Sequence, residues 1–248
     1  MVLRRDGEGA IAIGQPSHAW LSGQLARAWD PAPRPFDEVC LAAEQHDIGM
    51  AEWDLAPTLN RETGLPHSFM EMPLDLHLEL WSAASSKLVA QSAHAALLVS
   101  MHGTALYEMR DLDRMEPADA AKVRRFFAER RAEQDGLLGA LGLTREDVRA
   151  GQRLVWTLDY LSLALCLDWA PTVARGAPLR GGEADLRIEP GGEGRVLLDP
   201  WPFRDEAVRV RCEGRRLAGG FADEAEMRRA VAGAPIVPLS WELEPIDV

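Results

Sequence analysis

Apolar residues recur along this chain at two periods, and the switch between them outlines its elements. "VLRRDGEGAIAIG" alternates around an Asp6-Gly7 turn signal and predicts a short hairpin. From "QPSHAWLSGQLARAW" the period turns helical, with Ser17 as N-cap and Leu21, Leu25 and Trp29 along one face. "DPAPRP" ends that helix, and a second is expected from about Phe36 to Trp53, burying Val39, Ala43, Met50 and Trp53. Leu55 to Pro73, rich in Pro, Gly, Asn and Thr, reads as a long ordered loop placed to cover a site. Further helices are expected over Leu74–Val89 and Ala93–Met109, then a charged amphipathic one from "PADAAK" to Gly142. The last runs from a Thr144 cap to Trp169 and, through "LVWTLDYLSLALCLDW", is apolar enough to be central.

After Pro171 the texture changes. "RGAPLRGGEADLRIEPGGEG" reads as turns, whereas "RVLLDPWPF", "AVRVRCEGRRLAG" and "IVPLSWELEPI" alternate like strands. The expected fold is therefore mainly α, with a small antiparallel β-sheet formed by the C-terminal region and the N-terminal hairpin as a candidate addition. The expected organisation is a helical metal-binding domain over residues 1–175 and a β-rich subdomain over 176–248 packed on it.

Composition narrows the function. No run approaches the roughly 18 apolar residues of a membrane span, and the opening residues lack a signal-peptide pattern, so a cytoplasmic protein without membrane partners is expected. A net charge of −12 without a basic stripe argues against nucleic acid. Cys40, Cys166 and Cys212 are too scattered for a disulfide framework or a metal knuckle. All basic residues but Lys87 and Lys122 are arginine, so no single arginine stands out by type. The partner expected is a small-molecule substrate; oligomeric state stays open.

The residues that carry chemistry are polar intrusions on apolar helix faces. His18 precedes Leu21 and Leu25 by one and two turns, and His46 shares a face with Val39, Ala43 and Met50, with Asp47 beside it. His102 lies one turn past Leu98, and Asp159 lies on the Val155-Ser162-Cys166 stripe. A carboxylate buried in so apolar a helix costs several kcal/mol unless a cation or hydrogen bonds compensate. A divalent ion would compensate both aspartates and use the imidazoles as well. Taken singly, each histidine has a plainer alternative: a helix-end cap for His46-Asp47, a polar contact for His18, a helix-dipole partner for His102.

The order His18, His46-Asp47, Asp159 resembles the H…HD…D signature of the HD-domain superfamily, an all-α fold of metal-dependent phosphohydrolases. That resemblance implies one ion (Mn, Fe, Mg or Zn) on His18, His46, Asp47 and Asp159, and a second on His77 and His102 bridged by Asp47. It implies that Asp47 also accepts a proton from the attacking water, and leaves His94 a bystander or a group behind the ligands. Through "HDIGMAEWD", "LLVSMHGTALY" and "LDYLSLALCL" the whole chain also resembles a bacterial family designated domain of unknown function 3891, which implies no particular activity.

Where many HD hydrolases carry a lysine after HDIG, this chain has Met50, so phosphate recognition is left to the metal or to arginines such as Arg27, Arg61 or Arg153. The leading expectation is a metal-dependent hydrolase of a phosphate ester or nucleotide-like molecule. The alternatives are an HD-type di-iron oxygenase and a non-catalytic ligand-binding or interaction module.

Overall fold

The computed structural model describes residues 1–7 and 9–246. The N-terminal hairpin pairs β1 (Val2–Asp6) with β2 (Gly9–Ile13). Helices α1 (Gln15–Ala28), α2 (Phe36–Gln45) and the short α3 (Ala51–Leu55) follow, then a small ladder of β3 (Leu59–Asn60) and β4 (Leu65–Pro66). Next come α4 (Leu74–Ala84), α5 (Ala93–Glu108), α6 (Pro117–Leu141) and α7 (Arg145–Leu167). The C-terminal region holds β5 (Thr172–Leu179), β6 (Gly182–Gly192), β7 (Arg195–Asp199), β8 (Val208–Leu217), α8 (Glu224–Gly233) and β9 (Ile236–Pro245).

Seven strands join in the order β1-β2-β8-β9-β7-β6-β5, with β7 and β9 parallel and the remaining neighbours antiparallel. This overturns the expectation of a mainly α fold with a small antiparallel sheet; the sheet is large and mixed. Two of its strands, β5 and β6, come from the glycine-rich stretch expected to be turns. The glycines there are punctuation within a hairpin: Gly176 (φ 62°) sits where the register shifts, and Gly181 (φ 98°) lies in the two-residue turn. Helix α8, opened by an Asp223 cap, lies in a segment where no element was expected.

The sheet positions α1. β2 stops at Ile13 opposite Gly214, leaving the rest of that edge of β8 without a strand neighbour. Side chains of α1 complete it: Ser17 Oγ donates to Glu213 O (2.8 Å) and accepts from Glu213 N (3.1 Å), and Gln24 makes the same exchange with Arg211 (2.8 and 3.1 Å). Ser17 is therefore not the N-cap of α1. That place is taken by Gly14, with Pro16 in the first turn.

Helix α7 packs on α1, α2 and α5 and also on β5 and β1. Its start is closed by a reciprocal capping box between Thr144 and Asp147. One continuous core includes Leu21, Leu98 and Leu158 of the helices and Leu186, Leu198 and Leu243 of the sheet. The single helix expected over residues 36–53 is broken. α2 ends at Gln45, His46 is its C-cap, and Asp47 (φ −99°, ψ 17°) leads into a 3-10 turn over Ile48–Met50 before α3. Among the described residues, no helix is long and apolar enough to cross a membrane.

Candidate metal centre

Four separate segments deliver five side chains to one place. α1 supplies His18, the break after α2 supplies His46 and Asp47, α5 supplies His102, and α7 supplies Asp159. His18 and His46 are fully buried, Asp47 and His102 nearly so, and the Asp159 side chain is 13% exposed. His18 Nε2 lies 2.6 Å from Asp47 Oδ2, and His46 Nε2 lies 3.2 Å from Asp159 Oδ1 and 3.6 Å from Asp47 Oδ2. His102 Nε2 lies 3.5 Å from Asp159 Oδ2. The ligand atoms of His18, His46 and Asp47 form one group within 4.8 Å of one another, and those of His46, His102 and Asp159 form a second.

The hydrogen bonds behind the rings decide what their front nitrogens can do. Ala43 O can only accept, so His46 Nδ1 (2.8 Å) carries the hydrogen, and a neutral ring presents a lone pair at Nε2. The Ser162 hydroxyl donates to Asp159 O (2.8 Å), so its oxygen is free to accept from His18 Nδ1 (2.9 Å), and His18 Nε2 likewise points a lone pair at Asp47. Lone pairs facing two carboxylates repel unless a positive charge lies among them. Without metal that charge is a proton on His46: burial alone would lower its pKa, but Asp47 and Asp159 push it up to about 9. The carboxyls respond in the opposite direction. Burial would raise them, yet His46, with His18 at Asp47 and His102 at Asp159, holds Asp47 below and Asp159 well below the usual carboxylate range.

A proton serves this arrangement poorly, because the buried Nε2 of His46 makes no hydrogen bond. A divalent ion bound at roughly 2.0–2.2 Å to each N and O ligand requires ligand atoms spaced much as these are. The donor set of imidazoles and carboxylates suits zinc, manganese or iron, and the rear hydrogen bonds of His18 and His46 fix those two rings as a metal site needs, whereas His102 Nδ1 has no partner among the described residues. The residues fit the ion.

His77 is not drawn into either group of ligand atoms. Its Nε2 accepts from Trp81 Nε1 (3.0 Å), and its Nδ1 hydrogen-bonds Tyr107 Oη. Burial, with Arg110 adding to it, lowers its pKa to about 4, so the ring is neutral at pH 7. The group favours folding where the neutral form dominates in both states: its contribution is complete above about 6.5 and is lost as pH falls from there toward 4. The depressed Asp47 and Asp159 act only below the ordinary carboxylate value of 3.8. The metal-free protein should therefore lose stability between pH 6.5 and 4. Urea midpoints against pH should show a shallower fall in His77→Gln, the difference removing the share of His94, which burial lowers as well. Parallel curves would refute the assignment.

His94 and His67 lie apart from the cluster, His67 Nδ1 being 3.0 Å from Thr58 Oγ1. The arginines named for phosphate recognition are engaged elsewhere: Arg27 pairs with Glu44, and Arg153 donates to the carbonyls of Arg175 and Gly176. Arg61 lies in the β3–β4 turn. A cavity of about 280 Å³ opens over the cluster, with Met50, Phe69, Met72, Trp81, Leu106, His77 and Arg110 also on its walls. The loop before α4 thus contributes Phe69 and Met72 to the site. A larger, mostly apolar cavity of about 550 Å³ beside Trp29 and Leu154 contains none of these ligands.

Sequence reasoning missed Trp81 as the hydrogen-bond donor to His77, and Arg110 altogether. A signal existed for Arg110, since His102, Leu106 and Arg110 recur every fourth residue and all three line the cavity.

Residues 1–219 match the family described as protein of unknown function (DUF3891). The chain belongs to that family. All five clustered side chains fall within the matched span, as do the sheet strands through β8, whereas α8 and β9 lie beyond it. Comparison with curated proteins and with solved structures gives no match.

Proposed function

We propose that this protein is a metal-dependent hydrolase of a small phosphate ester or nucleotide-like molecule, holding one divalent ion on His18, His46, Asp47, His102 and Asp159. The observation that carries this reading is the convergence of three imidazole Nε2 atoms and two carboxylates below one cavity. The ligand order also resembles the H…HD…D pattern of HD hydrolases; the likeness proposed is one of ligands, not of fold. Bound there, the ion supplies a lowered water pKa and a polarised phosphoryl oxygen.

The chain supplies the rest. Asp47 accepts a proton from the attacking water, and the Ser162 hydroxyl, accepting from His18 Nδ1, keeps the His18 ring turned toward Asp47. Met50, Phe69 and Trp81 exclude bulk water from one side of the cavity. A second ion at His77 would have to displace Trp81 Nε1 and Tyr107 Oη, which favours a single ion and hydrolysis over di-iron oxygen chemistry.

Elemental analysis of the protein as isolated should find about one equivalent of transition metal, as the single ligand cluster implies. The Mn²⁺- or Fe²⁺-loaded protein should turn over members of a phosphoester panel, and Asp47→Ala should reduce turnover to background. A fully loaded protein inert across the panel would sink the hydrolase reading.

A further inference from the structure

We propose that Arg110 anchors the phosphoryl group of the substrate, and that the substrate is a small organic phosphate with an apolar body. This rests on the hydrolase reading for the identity of the anion, though not for the existence of an anion site.

Arg110 follows the end of α5 on the face that carries His102 and Leu106, and its guanidinium lies over the Tyr107 ring, 4.8 Å from the centroid. That ring is buried and tied through its hydroxyl to His77 on α4, so the surface beneath the guanidinium is fixed. Among the described residues no carboxylate pairs with Arg110, although the chain carries 39 acidic against 27 basic residues. On the neighbouring α6, Arg124, Arg130 and Arg131 each have a carboxylate partner. An exposed, unneutralised guanidinium on the wall of the cavity over the ligand cluster offers a planar pair of donors to an anion.

The other walls say what the anion is attached to. Met50, Phe69, Met72, Trp81, Leu106 and Leu163 give thioether, aromatic and aliphatic surface. The volume of about 280 Å³ lies at the small end of ligand pockets, which run from roughly 300 Å³ upward. An apolar group of about one aromatic ring's size matches this space better than a chain of several charged phosphates.

Phenylphosphonate, which resists hydrolysis, is the probe. Calorimetric titration should show it binding wild-type protein more tightly than inorganic phosphate or benzoate, and Arg110→Gln weakening it about 10- to 100-fold, the range for losing a hydrogen bond to a charged group. Arg110→Lys should recover part of the loss, and metal content should be the same in all three proteins. Undiminished binding in Arg110→Gln would overturn the anchor. Inorganic phosphate binding as tightly as phenylphosphonate would overturn the apolar body, and a preference for benzoate would overturn the phosphoryl group. Repeating the titration after chelation separates this idea from the hydrolase reading. Arg110-dependent binding that survives chelation leaves the anchor standing even where the loaded protein is inert across the panel and the hydrolase falls; Arg110-independent binding in a loaded protein that turns over phosphoesters does the reverse.

Discussion

Asp159→Asn should lower divalent-metal affinity by more than about 100-fold, beyond the 10- to 100-fold typical of disturbing groups behind the ligands. The side chain keeps its shape in this variant and loses its charge. Asp159 faces both His46 Nε2 (3.2 Å) and His102 Nε2 (3.5 Å), so it is the one carboxylate of the second group of ligand atoms, which shares His46 with the first. An amide oxygen is a weaker donor, and one buried negative charge fewer leaves less to offset the desolvation of a dication.

The effect should appear in stability as well as in metal content. An ion that binds only the folded state at about a thousand times its Kd adds about 4 kcal/mol, or roughly 10 °C in Tm at this chain length. Wild-type protein should lose that increment on chelation and regain it on adding Mn²⁺ or Zn²⁺. In Asp159→Asn the same metal concentration stands at no more than about ten times the Kd, so at most about a third of the increment should remain, and its metal-free Tm need not match the wild type. His77→Gln should keep the increment, since both ring nitrogens of His77 are spent within the chain. A metal-dependent Tm rise in Asp159→Asn equal to that of the wild type would remove the aspartate, and with it the centre as drawn.

The same contrast explains what the sequence reveals. Buried His and Asp residues stand out because they interrupt apolar stripes, so His18, His46, Asp47, His102 and Asp159 are legible from the order of residues alone. Arg110 interrupts nothing; it is exposed, and its role depends on which cavity lies beside it. The sheet is hidden for a different reason. β2 pairs with β8, Ala10 with Leu217, and no local pattern records a partner so distant in the chain. The break after α2 is concealed because Met50 and Trp53 remain buried on the far side of it, and the apolar period continues as if the helix did. The resemblance to an all-α superfamily followed the ligand order, and ligand order alone does not specify the scaffold that holds it.

Gly49→Ala should be the most disruptive single-methyl change near the site. Gly49 lies in the turn directly after His46-Asp47, and a Cβ there would stand 2.4 Å from the Leu80 carbonyl oxygen and 3.1 Å from Ala84 Cβ. Both obstacles belong to the body of α4, so neither can swing aside as a long side chain would. Either α4 shifts, moving Trp81 and His77 off the cavity wall, or the turn shifts and carries His46 and Asp47 with it. Overpacking of this kind costs about 1–3 kcal/mol and sometimes more, here a fall of roughly 3–8 °C in Tm. Metal affinity should drop with it, because ligand geometry is what the displacement spoils. Gly139→Ala is the control: it lies on α6 with nothing within 4 Å of the added methyl, and should be neutral or stabilising by up to about 1 kcal/mol. Thermal melts and metal titrations of the two variants side by side would decide the matter. A Gly49→Ala protein with wild-type Tm and metal affinity would mean that α4 and the His46-Asp47 turn are not pressed together, and that the ligands do not owe their placement to that contact.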